Sequence, residues 1–135
     1  MIDTRTAPWG ALILRLALGL MFLSHGLLKV FVFTIPGTVG FFESIGLPGA
    51  LAYLTILAEV VGGLALILGV YARGIAVLLI PVLAGAWIFS HADKGWLFSN
   101  PGGGWEYIAF LIAVSVVIAL VGDGALALRP TTRRG

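Results

Sequence analysis

The stretch Ala11–Val32, ALILRLALGLMFLSHGLLKVFV, decides how this chain is read. Its 22 residues suffice to cross the roughly 30 Å hydrocarbon core of a bilayer. It also carries Arg15, His25 and Lys29. A charged side chain near the bilayer centre costs at least about 2.5–3.5 kcal/mol, so these groups must face something other than lipid. At 100° per residue the three fall within about 80° of the helix circumference. The first helix therefore has a polar stripe that the rest of the chain must answer.

Composition supports a membrane setting. Of 135 residues, 60% are hydrophobic and 10% are charged. Soluble domains carry about 25% charge, and this chain could not coat a globule with polar groups. The chain has no cysteine, which excludes disulfides, thiolate nucleophiles, iron–sulfur clusters and cysteine zinc sites. The net charge of +2 is scattered, so nucleic acid is not a partner suggested by any basic face. Arg5 ahead of an apolar run hints at a signal peptide. The run is too long for one, Arg15 interrupts it, and no small-x-small cleavage site follows.

Outward from the first span, Pro36, Gly37, Gly40, Gly46, Pro48 and Gly49 punctuate residues 33–49. That segment reads as a greasy loop holding one short interfacial helix around Val39–Ile45. A second span at 50–70 has Glu59 near its middle, with small residues spaced at Ala58/Gly62 and Ala65/Gly69 for close helix packing. A turn at Tyr71–Gly74 leads to a third span at 75–91, which Pro81 can kink. A second loop at 92–104 is flanked by Trp87, Trp96 and Trp105, residues typical of a membrane interface. A fourth span at 105–121 begins beside Glu106, and a basic tail, 123–135, follows and reads as unpacked from Arg129 onward. The Gly102–Gly104 run fits no phosphate-binding pattern.

The expected fold is thus a single all-α integral membrane domain over residues 1–135, a four-transmembrane-helix bundle. Four spans put both termini on one side. That side gathers Arg5, Arg73, Arg129, Arg133 and Arg134, against Lys29 and Lys94 on the other. The bias places both termini in the cytoplasm and the loops 33–49 and 92–104 outside.

At 1.5 Å per residue, His25, Glu59, His91 and Glu106 fall in the outer half, one from each span, with Lys29 nearby and Arg15 deeper. Phe22–His25 also echoes Ile88–His91, which suggests two related hairpins. Three readings of the cluster stay open. In one, Glu59 pairs with Arg15 or Lys29 and the rest meet water or headgroups. Arg15 is the residue set to face Glu59. In another, the cluster holds a small polar-headed, greasy molecule such as a quinone. His25, His91 and Glu59 would handle protons, Arg15 and Lys29 would polarise a ring oxygen, and the phenylalanines of loop 33–49 would form walls of a pocket under that loop. The third is a metal or haem site, but the Glu-x-x-His spacing of carboxylate-rich helical centres is absent, so no metal is assigned.

The ordered set Leu14–Gly19, Phe22–Lys29, Phe41–Pro48, Ala58–Gly63, Leu68–Arg73 and Gly104–Tyr107 resembles the DoxX family of small bacterial four-helix membrane proteins. The likeness runs from residue 11 to 123. The resemblance implies a multi-pass protein of the bacterial plasma membrane linked to quinone-associated redox chemistry. The family takes its name from a subunit of a terminal quinol oxidase. A related subunit belongs to a thiosulfate:quinone oxidoreductase, and other members are tied to quinone or oxidative-stress resistance. It places Arg15, His25, Lys29, Glu59, Arg73 and Glu106 at the family's polar positions. No redox cofactor site of the chain's own is read from the sequence, so electrons would come from a partner subunit or a bound molecule such as a quinone. The expected partners are the lipid bilayer and other membrane or redox subunits. Two alternatives from other classes are a non-catalytic assembly subunit and a small transporter.

Overall fold

Pro8, whose fixed φ suits the first turn of a helix, opens the longest element, α1 (Ala7–Phe31). The computed structural model describes residues 1–131, so Arg133 and Arg134 lie outside the described residues. After α1 come α2 (Ile35–Ser44), α3 (Ala50–Leu68), α4 (Ala72–Ala86) and α5 (Glu106–Val121). A π-helical turn, Trp87–His91, continues α4 without a break. Among the described residues the fold is all-helical apart from one isolated bridge between Val70 and Arg129. Three helical stretches, Ala7–Phe31, Ala50–Leu68 and Ala72–His91, are long and apolar enough to cross a membrane, and α5 is a shorter apolar helix. The protein is a four-helix membrane bundle.

Three boundaries differ from expectation, each for a local reason. The interfacial helix begins at Ile35 rather than Val39, because the Thr34 hydroxyl accepts a hydrogen bond from Gly37 N (3.2 Å) and Pro36 sits in its first turn. The turn after α3 is only Gly69–Tyr71. Gly69 takes the left-handed conformation that closes a helix (φ 71°), and Arg73 and Gly74 already belong to α4. The tail is not loose through Thr131. Ala125 N donates to Pro8 O (2.9 Å), Leu128 N to Leu68 O (3.2 Å), Arg129 N to Gly69 O (3.0 Å), and Tyr71 N to Arg129 O (2.8 Å). The tail thus folds across the start of α1 and the α3–α4 turn.

The helices run up and down. A Cβ added to Gly19 would meet Gly63 and Ile67, and one added to Gly26 would meet Glu59 and Val60, so α1 and α3 are antiparallel and nearly in backbone contact. Gly62 faces Leu79 of α4. The Arg73 guanidinium donates to the carbonyls of Ala119 and Leu120, tying the start of α4 to the end of α5. One end of the bundle therefore holds the start of α1, the Gly69–Tyr71 turn and the tail. The other holds α2 and the loop 92–105. Inside, Leu18, Phe22, Leu66, Leu79, Leu83, Leu111 and Ile118 form one core. Outside, Leu54, Leu57, Val61 and Leu64 of α3 are exposed, as a surface solvated by lipid requires.

Candidate functional site

The polar residues of the spans divide into separate groups. Lys29 Nζ lies 2.8 and 3.1 Å from the two Glu59 carboxylate oxygens, and Glu59 is buried. Antiparallel packing explains the pairing. Gly26 faces Glu59 and Val60, so a lysine one turn further along α1 reaches the carboxylate. The α2 helix closes over this point, where the Thr38 hydroxyl donates to Lys29 O (3.2 Å).

Arg15 does not face Glu59. It lies 14 residues before Lys29, about 21 Å of helix rise, and packs against Gly69 at the far end of α3. Its side chain is fully buried. Nη2 donates to Ala125 O (3.2 Å), Asp123 attracts its charge, and Nε and Nη1 have no hydrogen-bond partner among the described residues.

His25, on the other side of α1, meets α5. Its Nε2 lies 3.3 Å from the Tyr107 hydroxyl, with the rings stacked at 6.1 Å. Either group can donate, depending on which His25 nitrogen carries hydrogen. The same hydroxyl lies 3.8 Å from Met21 Sδ. This pair forms the polar pole of a groove of about 870 Å³ lined by His25, Trp96, Phe98, Glu106, Tyr107, Ala109 and Phe110. No wall comes from residues 33–49. The expected roof was the wrong loop, because His25 points to the seam between α1 and α5 and α2 covers the opposite, Lys29–Glu59 side.

The roof is built by loop 92–105. His91 does not enter the groove. The π turn aims its Nδ1 at Gly103 O (2.7 Å), where it fastens the loop. Glu106 lines the groove and accepts a hydrogen bond from Phe98 N (3.0 Å). Trp105 stacks on Trp87 and meets Trp96 edge-on, each with centroids 4.7 Å apart. The two Ser-His motifs thus serve unlike ends, one in the groove and one in a loop anchor.

Of His25, Glu59, His91 and Glu106, the first and last share the groove, while Glu59 pairs with Lys29 and His91 fastens the loop, so they do not form one cluster. Among the described residues no three His, Asp or Glu side chains are grouped to hold a metal. The groove's key partner, Tyr107, was missed as a site residue. The available signal was a phenol at the start of an apolar span, since a buried tyrosine hydroxyl needs a partner.

The family model described as DoxX matches residues 10–92, from the start of α1 through the π turn. The chain is 35% identical over 126 residues to a Bacillus subtilis (strain 168) protein named "Putative oxidoreductase CatD". That similarity covers 93% of this chain and 89% of the relative. No solved structure matches the chain. With more than half its length matched by the family model, this four-helix membrane protein belongs to the DoxX family.

Proposed function

We propose that the protein binds a quinone-like redox molecule in the groove between α1 and α5, and serves as the membrane subunit of a quinone-linked oxidoreductase. The observation that carries this reading is the His25–Tyr107 pair at one pole of an aromatic-walled groove. A quinone needs a hydrogen-bonding group at a ring oxygen and flat apolar walls. Tyr107 and His25 supply the first; Trp96 and Phe98 supply the second. The name of the Bacillus subtilis relative agrees with redox work. Lys29 and Glu59 pair on the side of α1 away from the groove, Glu106 and His91 hold its roof, and Arg15 acts at the tail end.

Gently purified protein is expected to retain quinone in its extracted lipid. Tyr107→Phe keeps the ring but loses the hydroxyl. It should weaken quinone affinity roughly two- to tenfold, the worth of one hydrogen bond. His25→Ala should weaken it further, while Glu59→Gln should leave it nearly unchanged. Wild type carrying no quinone, in extraction and in titration, would sink the reading.

A second reading, a non-catalytic assembly subunit, draws on the Lys29–Glu59 pair, which already answers the charge of both residues inside the chain. It predicts that none of these variants alters quinone content.

The proposed orientation puts both termini in the cytoplasm, because Arg5, Arg73 and Arg129 on one side outnumber Lys29 and Lys94 on the other. A phosphatase fused after Gly135 should then be inactive and a cytoplasmic fluorescent reporter bright. The reverse pattern refutes the orientation.

A further inference from the structure

The groove's polarity runs parallel to the bilayer's own. Its polar pole, His25, Glu106 and Tyr107, lies where α5 begins at the loop end of the bundle. Phe110 is one helical turn further along α5, about 6 Å closer to the membrane middle than Glu106. The apolar end is also the open end. Phe110 is 66% exposed, on a helix whose outer face meets lipid.

The end toward water is covered by loop 92–105, although Trp96 and Phe98 on it are themselves 53% and 63% exposed. Trp105 N donates to Gly95 O, Glu106 N to Trp96 O and Gly104 N to Leu97 O, each at 2.9 Å. Together with the Phe98–Glu106 and His91–Gly103 bonds, these fix Trp96 and Phe98 over the polar pole. The loop is fastened along its whole length, so a ligand does not enter past it without breaking several hydrogen bonds at once.

We infer that the groove takes a single-headed membrane amphiphile, a hydrogen-bonding ring with an aliphatic tail, which enters sideways from the bilayer and leaves its tail running past Phe110. This rests on the quinone-binding reading and adds the ligand's orientation and route. The head sits at the loop end of the bundle, against His25 and Tyr107. The tail never leaves hydrocarbon, so binding requires only the head to be desolvated. A water-soluble metabolite has no comparable path.

The chain has no cysteine, so a single introduced one is a unique handle. Phe110→Cys places it at the opening. Leu120→Cys, also exposed on α5 but remote from the groove, is the control. Both would be alkylated with a bulky maleimide and reconstituted in phosphatidylcholine vesicles, after size exclusion confirms that each is monodisperse. The probes are 2,3-dimethoxy-5-methyl-1,4-benzoquinone with a decyl chain and without one, compared at equal mole fraction in the bilayer. The readout is quenching of tryptophan fluorescence, since Trp96 lines the groove. The label at 110 is expected to weaken the decyl probe about tenfold and the tail-free probe less than about twofold, with no effect of the label at 120. Undiminished decyl binding with the label at 110, or equal loss of both probes, overturns the route while leaving quinone binding intact. No quenching by either probe in the unlabelled protein overturns the binding reading and the route together.

Discussion

Gly63→Val is expected to prevent the bundle from assembling, and Gly63→Ala to weaken it measurably. A Cβ at residue 63 would stand 2.6 Å from Leu23 N and 2.9 Å from Gly19 O. Both are backbone atoms of α1, so neither can swing aside, and the two helices must separate along their length. In lipid no hydrophobic force pushes helices together. Close van der Waals contact between small residues is the main attraction, and it falls off steeply with distance. Overpacking of this kind costs about 1–3 kcal/mol for one added methyl group, and more for a branched side chain. Two neighbouring glycines supply controls. The atoms nearest to a Cβ at Gly62 belong to the Leu79 side chain, which can adjust, so Gly62→Ala should cost less. Gly74 has open space around it within α4, and Gly74→Ala should be neutral or stabilising by about 0.5–1 kcal/mol. Thermal unfolding in mild detergent, read with the monodisperse fraction on size exclusion, should rank the variants Gly74→Ala, wild type, Gly62→Ala, Gly63→Ala, Gly63→Val from most to least stable. Equal melting of Gly63→Ala and wild type would show that α1 and α3 are not in backbone contact.

That contact also marks the reach of the sequence. Hydropathy places the four spans, and the glycines announce close packing, because both signals are local. Which glycine meets which helix is not local. The spacing singled out Ala58/Gly62 and Ala65/Gly69, yet Gly63, one residue off that register, is the one pressed against α1. The polar stripe on α1 is real, but its members part company. Lys29 and His25 are one turn apart and look to different neighbours, Glu59 of α3 and Tyr107 of α5. Nothing in a single helix tells which neighbour lies on which side. The same ignorance assigned the groove's roof to the loop rich in phenylalanine rather than the loop rich in tryptophan. The tail was harder still. Its glycines and alanines carry no periodic pattern, and its partners Pro8, Leu68 and Gly69 are distant in sequence.

Asp123 is the polar residue whose loss the tail should feel most. Its carboxylate accepts hydrogen bonds from Arg73 N (3.2 Å), Thr131 N (2.8 Å) and the Thr131 hydroxyl (2.9 Å), and it attracts the buried Arg15 charge. Asp123→Ala leaves those donors unmet and that charge uncompensated. Hydrogen bonds to charged groups contribute about 1.5–3 kcal/mol each and are not additive, so a loss of about 3 kcal/mol is expected. Arg15→Met should behave differently. It removes one hydrogen bond, to Ala125 O, together with two nitrogens that have no partner among the described residues. Replacing a poorly compensated buried charge by an apolar chain of similar length is often neutral or stabilising. In the double variant, Asp123→Ala should therefore cost at least about 1 kcal/mol less than it does alone. Additivity would show that Arg15 and Asp123 are energetically separate. The hydrogen bonds to Asp123 also predict an acid response. Burial by itself would raise the Asp123 pKa, but the hydrogen bonds from Thr131, Arg73 and Ala72 outweigh it and hold the carboxyl below its ordinary range. A carboxyl depressed in the folded state contributes stability that is fully present above its unfolded value near about 4 and is lost as pH falls through the lower folded value. Melting temperatures of wild type and Asp123→Asn should accordingly differ by a constant amount from neutral pH down to about 4, then converge in more acid solution. A gap that persists unchanged below that point would mean that the carboxylate's charge is not what holds the tail to the bundle.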